Sequence, residues 1–228
     1  GIAEITPYVP GEQPQGDGWI KLNTNENPYP PSPRATAAMM TAGQARMPLY
    51  PDPRCSELRQ VLSKRFGVPV EATFAGNGSD EILAFAFRAF FQRDGELLFP
   101  DVTYSFYPVY AKFWGIPFRT VPLREDFSIA PEDYRGPASG IVFPNPNAPT
   151  AMPLGRSAVR TIAEAHPDCV VLVDEAYVDF GAESSIPLLE SHPNIVVVQT
   201  MSKSWSLAGL RVGFAIAHPT LISALERV

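Results

Sequence analysis

Four short, continuously apolar runs constrain this chain most: IVF at 141–143, VVLV at 170–173, IVVV at 195–198 and VGFAIA at 212–217. A strand with one wet face alternates apolar and polar residues. A run that is apolar throughout needs cover on both faces. Runs at 97–99 and 118–123 read as further strands, and the intervening stretches 79–93, 105–114, 157–165 and 221–228 read as helices. Buried strands alternating with helices predict an α/β layer fold with a mostly parallel central sheet. In such sheets ligands sit beyond the carboxyl ends of the strands. Three polar clusters stand there: residues 145–150 after 141–143, Asp174 after 170–173, and Ser202 with Lys203 after 195–198.

The rest of the chain fits a globular protein. Hydrophobic residues make up 45% of the 228 and charged residues 18%, which excludes a disordered chain. A formal charge of −6 gives no general attraction for nucleic acid or anionic lipid, so neither is expected as a partner. Cys55 and Cys169 have no metal-ligand spacing and read as reduced thiols of a cytoplasmic protein. The apolar run at 82–87 is broken by Arg88, far short of a membrane span. Residues 1–10 lack the basic-then-apolar pattern of a secretory signal. There are 25 prolines, roughly twice ordinary usage, clustered at 28–33, 48–53 and 144–153. They exclude a helix over 23–33, and residues 1–50 as a whole read as irregular. A helix is expected over 52–66, from the stripe Leu58, Val61, Leu62 and Phe66, with Gly67 as its stop.

Four segments have the residue types of a chemical site. In TMSKSWSLAGLR (200–211), Lys203 is a solvated loop lysine or one that forms a Schiff base. An ordinary lysine amine is protonated and weakly nucleophilic at neutral pH, and burial beside cations frees its lone pair. Nearby serines and Arg211 would make a phosphate site. In VVLVDEAY (170–177), Asp174 is a helix cap, a metal ligand, or a carboxylate set against a protonated pyridine nitrogen, with Tyr177 three residues on. GNGSDE (76–81) is a helix start whose free N–H groups hold phosphate, or a plain N-terminus with acids favoured by the dipole. Tyr104, in PDVTYSFY, is a core aromatic or a ring that stacks on a cofactor.

In order and approximate spacing, GNGSDE, Tyr104, PNPNAPT, VDEAY and TMSKSWSLAGLR together resemble the fold-type I aminotransferases, over essentially the whole chain. LNTNENPYPPSP (22–33) and YPDP (50–53) are similar to the histidinol-phosphate aminotransferase family. The resemblance implies pyridoxal 5'-phosphate (PLP) as cofactor, and L-histidinol phosphate and 2-oxoglutarate as substrates in histidine biosynthesis. It implies a large PLP-binding domain over residues 46–228, and an N-terminal arm with part of a small domain over 1–45. It also implies these roles. Lys203 forms the Schiff base and shuttles a proton, Asp174 pairs with the ring nitrogen, and Tyr177 donates to the phenolic oxygen. Ser79 and Asp80 (through their backbone), Ser202 and Arg211 hold the phosphate, and Tyr104 stacks on the ring. Tyr50 reaches the partner's site in a homodimer, and Asn25 and Tyr29 lie near the substrate.

Two departures stand out. Many relatives have Asn-Asn-Pro-Thr-Gly where this chain has Asn147-Ala148-Pro149-Thr150-Ala151. Asn147 is expected to contact the phenolic oxygen. A shift of one residue would move that role to Ala148, which has no group for it. The family also continues for roughly a hundred or more residues, so most of the C-terminal small domain and a substrate-gripping arginine are expected to be missing, with the chain stopping inside a helix at 225–228. The same frame serves aromatic aminotransferases and threonine-phosphate decarboxylases. A PLP-binding fragment without turnover is a further alternative.

Overall fold

The computed structural model describes residues 11–12, 14–45 and 48–228. The expectation of no signal at 1–10, the head of the arm and Met47 lie outside the described residues. The first helix, α1, is Pro33–Ala45, and α2 covers Ser56–Phe66. The reading of residues 1–50 as irregular is therefore corrected. The proline-rich run ends where Pro33, at a position that needs no N–H donor, starts an alanine-rich helix. Helix α2 begins four residues later than expected, because Pro53 and the left-handed Cys55 (φ 47°) precede it. It stops at Gly67 as expected: φ is 67° and the glycine N–H donates to the Ser63 carbonyl.

The remaining elements are β1 Thr73–Asn77, α3 Ser79–Ala86, β2 Leu97–Pro100, α4 Phe106–Phe113, β3 Phe118–Val121, β4 Gly140–Pro144, α5 Arg156–Ala165, β5 Val170–Asp174, β6 Ile195–Thr200, β7 Val212–Ala217 and α6 Pro219–Leu225. Two expectations over helices are corrected. The segment 79–93 is α3 followed by a wider π turn, Phe87–Phe91. Helix α6 closes at Leu225, so residues 226–228 lie outside it.

The strands form one seven-stranded sheet in the order β1-β7-β6-β5-β4-β2-β3. Only β7 runs against its neighbours; β6, β5, β4, β2 and β3 are mutually parallel. The carboxyl ends of six strands thus share one edge with the amino end of β7. Strand β1 is absent from the sequence expectations. Its residues, TFAGN, are extended because they pair with β7, and Gly76 sits opposite Gly213.

The apolar runs do get cover on both faces. Val171, Val173, Ile195 and Val197 pack toward one core with Leu62 of α2 and Val159 and Ile162 of α5. Leu172, Val196 and Val198 pack toward a second core with Ile82 and Leu83 of α3, Tyr107 of α4 and Ile222 of α6. Each fully buried aliphatic side chain contributes about 1.5–3 kcal/mol of transfer free energy, so these strands are fixed in register by burial.

Candidate active site

A cavity of about 400 Å³ opens at the carboxyl edge of the sheet. It is lined by Ser79, Asp80, Tyr104, Asp174, Tyr177, Ser202, Lys203 and Arg211. The sheet topology makes this meeting possible. Ser79 follows β1, Tyr104 follows β2, Asp174 ends β5, Ser202 and Lys203 follow β6, and Arg211 immediately precedes the reversed β7.

One end of the cavity suits an anion. Helix α3 starts at Ser79 after Gly78 (φ 84°), leaving its first N–H groups unpaired within the helix. Arg211 lies against Gly78, where a Cβ would stand 2.5 Å from a guanidinium nitrogen. The same guanidinium reaches Ser202 Oγ at 3.5 Å, the Ala208 carbonyl at 3.1 Å and Asp80 Oδ2 at 3.5 Å. Asp80 Oδ1 accepts from the Tyr104 hydroxyl at 2.9 Å, which turns the acid toward Tyr104 as well as Arg211. Gly213 permits the close approach of sheet and helix: a Cβ there would fall 2.5 Å from the backbone of Gly78 and Ser79.

The same cavity is lined by Asp174 and Tyr177. Asp174 is buried, its Oδ1 accepting from the Ala176 N–H at 3.2 Å and its Oδ2 from the Tyr107 hydroxyl at 3.1 Å. Burial, opposed by those two bonds, pushes its pKa up to about 6. The adjacent Glu175 has a different task. Its carboxylate is taken up by Ser184 Oγ, the Ser185 N–H and Gln199 Nε2, which ties the following loop together. Asp174, with a wall on the cavity, keeps acceptor capacity for a cationic N–H group.

Lys203 Nζ donates to the Thr24 carbonyl at 3.0 Å and stands 5.5 Å from the centre of the Tyr177 ring. The Tyr177 hydroxyl accepts from Asn25 Nδ2 at 2.9 Å. The arm is pinned once more by Asn27 Nδ2, 3.1 Å from the Lys203 carbonyl.

Four expected residues, Asn25, Tyr29, Tyr50 and Asn147, do not line this cavity. Asn147 is buried in its own loop, its amide bonded to Thr103 Oγ1, the Val102 carbonyl and Thr150 Oγ1. It lines an adjoining cleft with Asn25 and Tyr177, while Ala148 lines the main cavity. The polar atoms of Asn147 are engaged in the turn, while its neighbour Ala148 stands on the cavity wall. Tyr29 lines neither space; it is exposed, and its N–H donates to Asn27 Oδ1. Tyr50 is wholly exposed and touches no part of its own chain's cavity. Sequence reasoning missed Thr24, Glu26, Thr200 and Tyr107. The first three line the cavity, and Tyr107 is bonded to Asp174. A signal for Tyr107 exists, since it stands three residues after Tyr104 at the start of a helix.

The family profile described as aminotransferase class I and II matches residues 17–228. The chain belongs to the class I and II aminotransferase family. Among the members of this aminotransferase family, the histidinol-phosphate aminotransferase of Aromatoleum aromaticum is 56% identical over 228 residues, covering 98% of this chain and 64% of that protein. The histidinol-phosphate aminotransferase of Pseudomonas syringae pv. syringae is also 56% identical, over 227 residues, covering 100% of this chain and 65% of that protein. This aminotransferase chain thus spans slightly under two thirds of the length of those curated relatives. Among solved structures, a putative histidinol-phosphate aminotransferase from Erwinia carotovora atroseptica superposes with a TM-score of 0.84 at 29% identity, over 91% of this chain and 63% of that one. Histidinol-phosphate aminotransferase from Sinorhizobium meliloti, in complex with pyridoxal-5'-phosphate, shares the fold at a TM-score of 0.82 and 24% identity, over 90% of this chain and 58% of that one. The expected α/β fold and family are borne out. No helix among the described residues is long and apolar enough to cross a membrane.

Proposed function

We propose that the whole protein is a PLP-dependent aminotransferase. It would exchange the amino group of L-histidinol phosphate with 2-oxoglutarate, giving imidazole-acetol phosphate and glutamate. Residues 46–228 would form its PLP-binding large domain, and residues 1–45 an arm with part of the small domain. The observation that carries this reading is the convergence of Lys203, buried Asp174 and Arg211 on one cavity, at 56% identity to named histidinol-phosphate aminotransferases.

The residues present fit the cofactor. Asp174 has its pKa raised by burial, and among the described residues no cation pairs with it; a protonated ring nitrogen would supply one. Gly78 and Gly213 let Arg211 and the start of α3 pack close together, since a Cβ at either glycine would stand 2.5 Å from them. When bound, PLP supplies a carbonyl that takes up the amino group and a protonated ring that withdraws electrons from the substrate carbon.

The chain's own residues then have distinct tasks. The Lys203 amine would hold the cofactor covalently and move a proton at the substrate carbon. Asp174 would keep a proton on the ring nitrogen. Tyr177, whose oxygen accepts from Asn25, would donate its O–H to the phenolic oxygen. The backbone of Ser79 and Asp80, Ser202 Oγ and Arg211 would hold the phosphate by charge-assisted bonds. Tyr104 would pack on the ring. Asn147 would shape the loop that presents Ala148, leaving the phenolic oxygen to Tyr177. Asn25 and Tyr29 would face the substrate side.

A homodimer in the cytoplasm completes the reading. Trp19, Ile20, Leu22, Leu49 and Tyr50 are all well exposed, and Tyr50 would serve the site of the second subunit. Unpaired Cys55 and Cys169 suit a reducing compartment.

The test uses the full-length protein with L-histidinol phosphate, aromatic amino acids and threonine phosphate as alternative substrates. Glutamate should form from 2-oxoglutarate with the highest kcat/KM on L-histidinol phosphate. Borohydride should fix PLP to Lys203, and Lys203→Ala should abolish the label. A higher kcat/KM on an aromatic amino acid, decarboxylation of threonine phosphate, or label on Lys21, Lys64 or Lys112 would overturn the proposal.

A further inference from the structure

We infer that Tyr107 is a positioning residue for Asp174, holding the carboxylate in the orientation that turns its remaining lone pairs to the cavity. The inference rests on the function proposed above, because it takes the partner of Asp174 to be a cationic ring N–H.

The geometry is specific. Tyr107 lies one residue into α4, on its buried face, with no exposed surface. Its ring is enclosed by Phe87, Phe99 and Tyr104, at centroid distances of 6.1, 6.0 and 5.7 Å. A phenylalanine would fill that apolar space equally well. A hydroxyl placed there costs free energy unless it is bonded. Its bond is to Asp174 Oδ2 at 3.1 Å, across 67 residues of sequence. The Ala176 N–H holds Oδ1. With one donor on each oxygen, the carboxylate cannot rotate without breaking both bonds.

The bond also acts on proton affinity. Burial, and the like charges of Asp80 and Glu175, favour the neutral acid. The donations from Ala176 and Tyr107 favour the carboxylate. Tyr104 and Tyr110 also face this region, with Glu81 on α3 and Lys112 on α4 as the further ionisable groups of these helices, and both tyrosines stay protonated because burial raises their pKa values. Glu26, Lys203, Arg211 and Tyr177 complete the ionisable lining of the cavity. Without the Tyr107 hydroxyl, Asp174 would bind a proton more tightly and offer less negative charge to a ring cation at neutral pH.

The test is Tyr107→Phe in the full-length protein, read by the Kd for PLP across pH 5.5–8.5, with circular dichroism and Tm as fold controls. The Kd should rise about tenfold at pH 7, the size of one lost hydrogen bond to a charged group, and the midpoint of its pH profile should move upward. In an Asp174→Asn background the same substitution should change the Kd less than threefold, because its effect acts through the carboxylate. An unmoved pH profile, or an equal loss in both backgrounds, would overturn the inference and leave the proposed function standing. Failure of the unaltered protein to take up PLP would overturn both.

Discussion

The side-chain amide of Asn25 donates to the hydroxyl of Tyr177 at 2.9 Å, tying the N-terminal arm to the loop after β5. Both Thr24 and Asn25 are left-handed, with φ of 59° and 51°. Such backbone is sparsely populated by a β-branched threonine and persists only where its surroundings hold it. Here the holding contacts are the Lys203 amine on the Thr24 carbonyl, Asn25 on Tyr177, and Asn27 on the Lys203 and Ser204 carbonyls.

Asn27→Ala removes two of these anchors without touching the cavity wall. Amide exchange over residues 19–28 should speed up about fivefold, matching the loss of roughly 1 kcal/mol of local hydrogen bonding. Exchange in β5 and β6 should stay as it is. Hydrogen-exchange mass spectrometry checks this, and unchanged exchange in the arm would show that it is held by other contacts.

Gly213→Ala should destabilise the chain by about 1–3 kcal/mol, because the new Cβ meets the backbone of Gly78 and Ser79, which cannot retreat like a flexible side chain. Gly43→Ala in α1 is the counterpart. Among the described residues nothing lies within 4 Å of its Cβ, so helix propensity alone should make it neutral or up to about 1 kcal/mol stabilising. Urea denaturation of both variants checks the contrast.

Asp174 predicts a pH-dependent stability difference. Its pKa is about 6 in the folded chain against an ordinary 3.8, so the folded chain binds the proton more tightly than the unfolded chain. The group therefore opposes folding as pH rises from about 4, reaching its full cost above pH 6. Without PLP, Asp174→Asn should be more stable than the unaltered chain by about 1–3 kcal/mol at pH 7.5, and close to equal at pH 4. Urea melts at the two pH values decide it, and an identical gap at both would refute the assignment. In the full-length protein the same variant should lose at least about a hundredfold in turnover.

Tyr50 is fully exposed in its own chain, which sets up a test of action in the second subunit. Inactive Lys203→Ala chains mixed with Tyr50→Phe chains of the full-length protein should form heterodimers. If Tyr50 serves the partner, one site carries both lesions and the other carries neither. Activity should then exceed that of the Tyr50→Phe homodimer. Absence of any gain would place Tyr50 in its own subunit's site.

The sequence by itself determined the sheet core and the positions of Asp174 and Lys203. Continuous apolarity over 170–173 and 195–198 is a local property that demands burial on both faces, and a polar residue straight after such a strand stands at its carboxyl end. Gly67 was legible for the same reason, because the left-handed stop of a helix depends on one residue. Tertiary structure decided the rest. TFAGN (73–77) has no strand pattern of its own and becomes β1 only by pairing with β7. Tyr104 and Tyr107 share one segment, and only the packing of α4 turns one toward the cavity and the other onto Asp174. Asn147 and Ala148 are neighbours, and the turn that consumes the Asn147 amide is what leaves Ala148 on the cavity wall. The Thr24 carbonyl meets the Lys203 amine across 179 residues. No local rule of propensity or periodicity reaches that far, because such contacts exist only after the two cores have set the distance between the arm and the sheet edge.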